Sequence, residues 1–239
     1  MVRASIVMAT YNGERFLKEQ IDSILFNLGE SDELVISDDG SQDETIEIIE
    51  QFQQKDDRIK LLPSGTHKGV VRNFENAIKN ARGKYIFLAD QDDIWAEGKV
   101  EKVVTIFENN PDITCVLHDL IIIDENGQTI ASSFSRLRNV HLGFMRNICK
   151  NSYIGNAMAF RRTLLKYVLP IPSQVPMHDQ WIGLLSEYYG RTYLDPDPLG
   201  LYRRHDGNVT EMVHGTFSEM IKKRIKLLIT LFNRIVYRR

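Results

Sequence analysis

The sequence has little cysteine, no long apolar run, no glycine-rich phosphate loop and almost no net charge. Its two cysteines, Cys115 and Cys149, lie in apolar surroundings with no metal-ligand spacing between them, which fits a reducing compartment. No apolar stretch reaches the length needed to cross a bilayer, and the one near the N-terminus is far too short for a signal peptide. The expected location is therefore the cytoplasm. A net charge of -2 supplies no global basic field, so nucleic acid is not an expected partner. Residues 10–15 hold one glycine where a dinucleotide fingerprint needs three, and no P-loop occurs. Internal repeats and low-complexity linkers are also missing. The remainder, 43% apolar and 26% charged over 239 residues, suits one large globular domain or two small ones.

What is present alternates. Apolar runs at 5–9, 34–37, 59–62 and 84–89 read as buried strands. Helical periodicity follows each of them: Phe16, Leu17, Ile21, Ile24 and Leu25; then Thr45, Ile48, Ile49 and Phe52; then Phe74, Ala77, Ile78 and Ala81; then a pattern from Glu97. Ser41 with Glu44 three residues on has the form of a capping box for the second helix. Four strand–helix alternations call for an α/β fold, a mostly parallel sheet with helices on both faces. The second half is less regular. Strands are expected at 115–119 and 120–124, a hairpin return at 128–131, helices at 141–150, 161–167 and 178–189, and short strands at 192–194 and 199–202.

Ligands of such sheets bind outside the C-terminal strand ends. Three polar clusters fall there: Thr10-Tyr11-Asn12, Asp38-Asp39 and Asp90-Gln91-Asp92-Asp93. Three carboxylates within four residues repel one another unless a cation joins them, and the D-x-D spacing suits a hard divalent ion; a polar turn is the alternative. Thr10 and Tyr11 suit contact with a base, or Tyr11 serves as a helix-start packing residue. One of Asp38 and Asp39 suits hydrogen bonds from a base or ribose, or a helix N-cap. Arg72, with Gly65 and His67, lies on a loop placed to meet a nucleotide.

The order Thr10-Tyr11-Asn12-Gly13, Asp38-Asp39-Gly40-Ser41, Asp90-Gln91-Asp92-Asp93 resembles the family 2 glycosyltransferases of GT-A fold, and most of all the bacterial rhamnosyltransferase-like members that build cell-surface polysaccharide. The likeness covers roughly residues 4–210. It implies an inverting, metal-dependent transfer from a nucleoside-diphosphate sugar, dTDP-rhamnose or a UDP-hexose, to a glycan or lipid-linked acceptor. Thr10, Tyr11 and Asp39 would hold the nucleoside. Asp90 and Asp92 would be the D-x-D pair, with Asp92 the direct ligand of Mg²⁺ or Mn²⁺ and Asp90 in its second shell or on the ribose. The family's catalytic base falls on Asp179 in His178-Asp179-Gln180-Trp181, where an inverting reaction needs a carboxylate beside the acceptor hydroxyl. His178 departs from the usual acidic first residue, and would tune Asp179 or touch the acceptor. Gly155-Asn156-Ala157-Met158 resembles an acceptor-side segment. Residues 202–208 resemble a late segment in which Arg203 and His205 would neutralise the departing diphosphate or help hold the metal. The Gln-x-x-Arg-Trp motif of processive members does not occur, which implies one transfer per acceptor. Two rivals stay open: a sugar-nucleotide nucleotidyltransferase, which would want a basic Gly-rich first loop, and a non-catalytic nucleotide-sugar-binding module.

The expected organisation is a GT-A domain over 1–215, with a nucleotide-sugar half over 1–110 and an acceptor half over 111–215, then a C-terminal helix over 216–239. From 219 onward the chain carries Lys222, Lys223, Lys226, Arg224, Arg234, Arg238 and Arg239 against one glutamate. Ile221, Ile225, Leu228, Ile229, Phe232, Ile235 and Val236 recur there at helical spacing. This basic amphipathic pattern suits an anionic membrane surface, making the protein peripheral on the inner face of the cell membrane. Packing on the domain, or on a second subunit as a homodimer, is the alternative.

Overall fold

The structure is a computed structural model. It describes residues 2–63, 69–205 and 217–237, the last segment with side chains from 221 onward. Gly65, His67, Asp206, Gly207 and Asn208 lie outside the described residues.

The first half alternates as expected. Strand β1 (Ala4–Thr10) leads into α1 (Glu14–Asn27), β2 (Glu33–Asp38) into α2 (Thr45–Gln53), β3 (Ile59–Leu61) into α3 (Val70–Asn80), and β4 (Tyr85–Ala89) through a two-residue β5 (Ile94–Trp95) into α4 (Lys99–Asn109). The long β6 (Ile113–Ile123) follows, then β7 (Thr129–Ala131), α5 (Phe134–Arg138), α6 (Phe144–Cys149), a 3-10 turn Gly155–Ala157, β8 (Met158–Arg161), α7 (Leu165–Val168), α8 (His178–Tyr189), β9 (Arg191–Arg203) and α9 (Phe217–Tyr237).

Among the described residues, all nine strands join one sheet in the order β3-β2-β1-β4-β8-β6-β9-β5, with β7 on β6. Strands β1 to β4, β6 and β9 run one way; β5, β7 and β8 oppose them. Side chains alternate across the sheet as strand geometry requires. Ile6, Met8, Tyr85 and Phe87 face one layer, formed by α1, α2 and α4. Val7, Val35, Ile86 and Leu88 face the other, formed by α3, α8 and α9. Burying both faces explains why β1 and β4 read as continuous apolar runs.

Several local expectations change. Ser41 does not cap α2, which starts four residues later; Asp43 Oδ1 accepts the Thr45 N–H at 3.1 Å instead. Residues 115–124 form one strand rather than two, and 192–202 belong to one strand whose pairing shifts register near Asp119. Helix α5 is additional to those expected, and the helix expected at 141–150 shortens to α6.

Candidate active site

Strands β1, β2 and β4 end side by side, and their polar ends are laced together before any ligand arrives. Asp38 lies at the C-terminal end of β2 and is buried. Its Oδ2 accepts from Thr10 Oγ1 at 2.8 Å and from Ser41 Oγ at 2.5 Å, while Oδ1 accepts from the N–H groups of Gly40 and Ser41 at 2.9 and 2.8 Å. The carboxylate of Asp38 is thus used by its own turn. Asp39 donates its N–H to Thr10 O at 3.0 Å, and its Oδ2 accepts the Gly69 N–H at 2.8 Å. Asn12 turns the chain with φ 47°, a left-handed conformation asparagine tolerates, and its Oδ1 accepts the Gln42 N–H. Asn73, in the first turn of α3, donates to Thr10 O at 3.0 Å. Gln91 clasps the neighbouring turn twice: its Oε1 accepts the Tyr11 N–H at 2.9 Å, and its Nε2 donates to Tyr11 O at 3.1 Å. Tyr11 is left 48% exposed above this rim.

The acidic stretch divides into three environments. Asp93 is buried; its Oδ1 accepts the Arg203 N–H at 2.8 Å, and its Oδ2 accepts from Asn156 Nδ2. Burial, then the charges of Asp92 and Asp90, push its carboxyl well above the carboxylate range against those two hydrogen bonds. Lys99 closes the group underneath, donating to Asn156 O at 2.9 Å with its ammonium 3.8 Å from the Trp95 ring centroid. Burial pushes Lys99 down to about 7, with Asp93 and Asp90 opposing. Asp90 is partly exposed, and its carbonyl accepts from buried Gln20 at 2.6 Å. Burial of its carboxyl, followed by the charges of Asp92 and Asp179, pushes it up to about 7. Asp92 faces His205, with Oδ2 and Nε2 2.8 Å apart.

Arg203 is 3% exposed, and its guanidinium spans elements distant in sequence. Nε donates to Asp92 O at 3.0 Å, Nη2 meets Glu19 Oε2 at 2.5 Å, and the group lies 4.6 Å from the Phe16 ring. Phe16 also packs against His205, their ring centroids 5.0 Å apart. Helix α1 therefore backs both the acidic loop and the end of β9.

Opposite stands the start of α8. Asp179 is 8% exposed in the first turn, and its Oδ1 accepts the Gln180 N–H at 2.5 Å. Burial pushes its carboxyl up to about 7, with the N–H groups of Gln180 and Gly155 opposing. Gly155 thus links the segment 155–158 to this carboxylate. Gly183 lets the Tyr153 ring press against α8, since an added Cβ would come within 2.5 Å of that ring. His178 is buried, stacked on Phe74 at 3.9 Å, and neither ring nitrogen has a hydrogen-bond partner among the described residues. Burial pushes its imidazole down to about 3, so it is neutral at physiological pH. Arg72 pairs with Glu75 and donates to Ile171 O at 2.8 Å, holding the 170–176 loop that leads into α8. Contact with a nucleotide would require it to leave those partners.

Sequence reasoning passed over Gln20, Glu19 and Lys99, and named Gln91 and Asn156 only within their segments, without the contacts they make here. A signal existed for Gln20, which shares the apolar stripe of Leu17, Ile21 and Ile24, and for Lys99, which adjoins Val100 and Val103. Among the described residues, no three His, Cys, Asp or Glu side chains converge as a ready-made metal cage. The donor set still fits a hard ion, because Mg²⁺ is commonly held by one or two carboxylates plus substrate phosphates.

The chain is similar to several known proteins. An uncharacterised glycosyltransferase of Nostoc sp. is 29% identical over 218 residues, covering 87% of this chain and 66% of the relative. One of Haemophilus influenzae is 27% identical over 238 residues, covering 93% and 71%. Against a relative from Methanocaldococcus jannaschii, the chain spans only 44% of that protein's length. Staphylococcus aureus TarS 1–349 in complex with UDP-GlcNAc superposes with a TM-score of 0.74 at 19% identity, over 95% of this chain and 67% of that one. The mannosyltransferase PcManGT of Pyrobaculum calidifontis, in complex with GDP-Man and Mn²⁺, gives 0.66 at 17% identity, over 98% and 64%. These likenesses establish the GT-A type α/β fold. The sequence profile described as "Glycosyl transferase family 2" matches residues 5–169, which take in all three strand-end clusters, and the chain belongs to that family.

Proposed function

We propose that the chain is an inverting, metal-dependent glycosyltransferase that moves a sugar from a nucleoside diphosphate, dTDP-rhamnose or a UDP-hexose, to a glycan or lipid-linked acceptor of cell-surface polysaccharide. The observation that carries this reading is geometric. Asn156 donates to Asp93 in the acidic loop, and the adjoining Gly155 packs so closely on His178 that an added Cβ would lie 3.2 Å from its Nε2, so one short segment joins the candidate cation site to the start of α8 that carries Asp179.

Thr10, Tyr11 and Asp39 form the nucleoside side, with Tyr11 offering a face for a base and Asp39 a carboxylate for N–H or ribose hydroxyl groups. Asp92 and Asp90, with His205 beside Asp92, would hold Mg²⁺ or Mn²⁺. When bound, the ion supplies positive charge beside the departing diphosphate. Arg203 positions Asp92 by holding its carbonyl and pairing with Glu19. Asp179 takes the proton of the acceptor hydroxyl as that oxygen attacks the anomeric carbon opposite the diphosphate. The carbon–oxygen bond to the diphosphate breaks, and the configuration inverts. A carboxyl titrating at about 7 is well matched to a base working near neutrality.

The test is a panel of UDP-, dTDP- and GDP-sugars with Mg²⁺ or Mn²⁺, reading nucleoside diphosphate release and product anomeric configuration by NMR. Turnover of one donor with inversion is expected, lost in Asp179→Asn while nucleotide binding persists. Full activity of Asp179→Asn, or retained configuration, overturns the reading.

A further inference from the structure

Helix α9 has two apolar faces. Leu227, Leu231 and Arg234 are buried against the domain. Arg234 lies among them as a fixed link: it donates to Tyr167 O and Leu169 O at 2.9 Å each and to Pro170 O at 2.6 Å, beside the Trp181 ring. Burial pushes its guanidinium down from its usual range. Arg234, one of the basic residues of the amphipathic tail, therefore docks the helix. The second face adjoins the first, with partly buried Ile235 at the seam. Ile221, Ile225, Leu228, Ile229, Phe232 and Val236 are each between 40% and 57% exposed. At 3.6 residues per turn they occupy adjoining rows that run about 22 Å along the axis. Exposed Lys222, Lys226 and Lys223 form the next arc round the helix.

We propose that this outer face of α9 docks on an anionic lipid bilayer. A single apolar stripe would be consumed by packing on the domain, but a second one beside a lysine row has the layout of an interfacial helix. The apolar row enters the acyl boundary and the lysines meet anionic headgroups. The charge also speaks against a second copy as an antiparallel occupant. In an antiparallel pair about a two-fold axis, the lysine row of one helix would lie against that of its partner. Because Arg234 ties α9 to residues 167–170, and the chain runs on from there to Asp179, the docked face and the base keep a fixed relation. Resting on the glycosyltransferase reading, this makes the acceptor lipid-linked.

The test is flotation of the chain with phosphatidylglycerol-containing vesicles and with pure phosphatidylcholine vesicles. Variants are Phe232→Glu combined with Ile225→Glu, and separately Lys222, Lys223 and Lys226 each changed to Gln, with thermal unfolding and nucleotide binding as fold controls. The chain should float with anionic vesicles, with affinity falling roughly tenfold or more in either variant and in about 1 M salt, while both controls hold. Failure to float with anionic vesicles overturns the proposal. So does a dimer in light scattering that Phe232→Glu dissociates, which would make the face a protein contact. Flotation without turnover of any donor sinks the glycosyltransferase reading alone; transfer to a soluble acceptor without flotation sinks the docking surface alone.

Discussion

His205 Nε2 stands 2.8 Å from Asp92 Oδ2, joining the segment after β9 to the acidic loop across 113 residues. Such a histidine either ligates an ion beside the carboxylate or orients the carboxylate that does. In both cases His205→Ala should raise the Mg²⁺ or Mn²⁺ concentration needed for half-maximal activity by about 10-fold or more. Metal titration of donor turnover reads this directly. An unchanged metal requirement would remove His205 from the site.

Asp179 gives opposite signs for activity and stability. Its carboxyl titrates at about 7 in the folded chain against an ordinary 3.8, so the folded state holds the extra proton between those values. Its contribution to stability is full below the lower value and is lost as pH rises through the upper one. Transfer should show the reverse, rising with pH and levelling above about 7. Asp179→Asn should abolish that limb and transfer itself, yet stabilise the fold at pH 8 by about 1 to 3 kcal/mol. Denaturant unfolding at pH 5 and pH 8 checks the second half, and a destabilised Asn variant would contradict the burial argument.

Asp38 and Asp39 are adjacent but separable. Asp38→Ala removes the acceptor of four hydrogen bonds within the β1–β2 ends and should lower stability by about 2 to 4 kcal/mol in urea unfolding. Asp39→Asn should leave stability within about 1 kcal/mol while weakening UDP or dTDP binding by roughly tenfold or more, read by calorimetry. Equal effects of the two substitutions would refute the division.

Asp93 anchors the acidic loop. Asp93→Ala strands the Asn156 amide and the Arg203 N–H and leaves buried Lys99 less compensated. A loss of about 2 to 4 kcal/mol is expected, the size found when two buried polar groups lose their hydrogen-bond partner. Chemical denaturation measures it, and a loss under about 1 kcal/mol would return Asp93 to the candidate metal ligands.

The strand-end clusters were legible because each follows an apolar run that must be a buried strand, and topology then gathers them. What failed to show has physical reasons. Residues 115–124 read as two strands because His118 and Asp119 interrupt the apolar run. Both are buried in β6: the Asp119 carboxylate accepts the N–H groups of Leu120 and Ser135 at 2.8 Å each. Asp195, Pro196, Asp197 and Pro198 read as a loop, but Lys102 pairs with both aspartates and keeps that stretch within β9. The tail pattern was visible, but its second face was not. Leu227 and Leu231 look like neighbours of Leu228 and Phe232 until the domain covers one row and leaves the other. The 155–158 segment was singled out by resemblance, but the contact of Asn156 was not legible, since its partner Asp93 lies 63 residues earlier in the chain.

The clasp between Gln91 and Tyr11 has a thermodynamic consequence. Two hydrogen bonds hold the Tyr11 backbone in the free protein, so the strand-end turn is ordered by folding instead of by the ligand. On the proposed donor reading, a nucleoside arriving there would meet a surface already in place, and less of its interaction energy would be consumed in stilling the loop. On that reading Gln91, a residue whose side chain faces protein, would set part of the affinity at this rim.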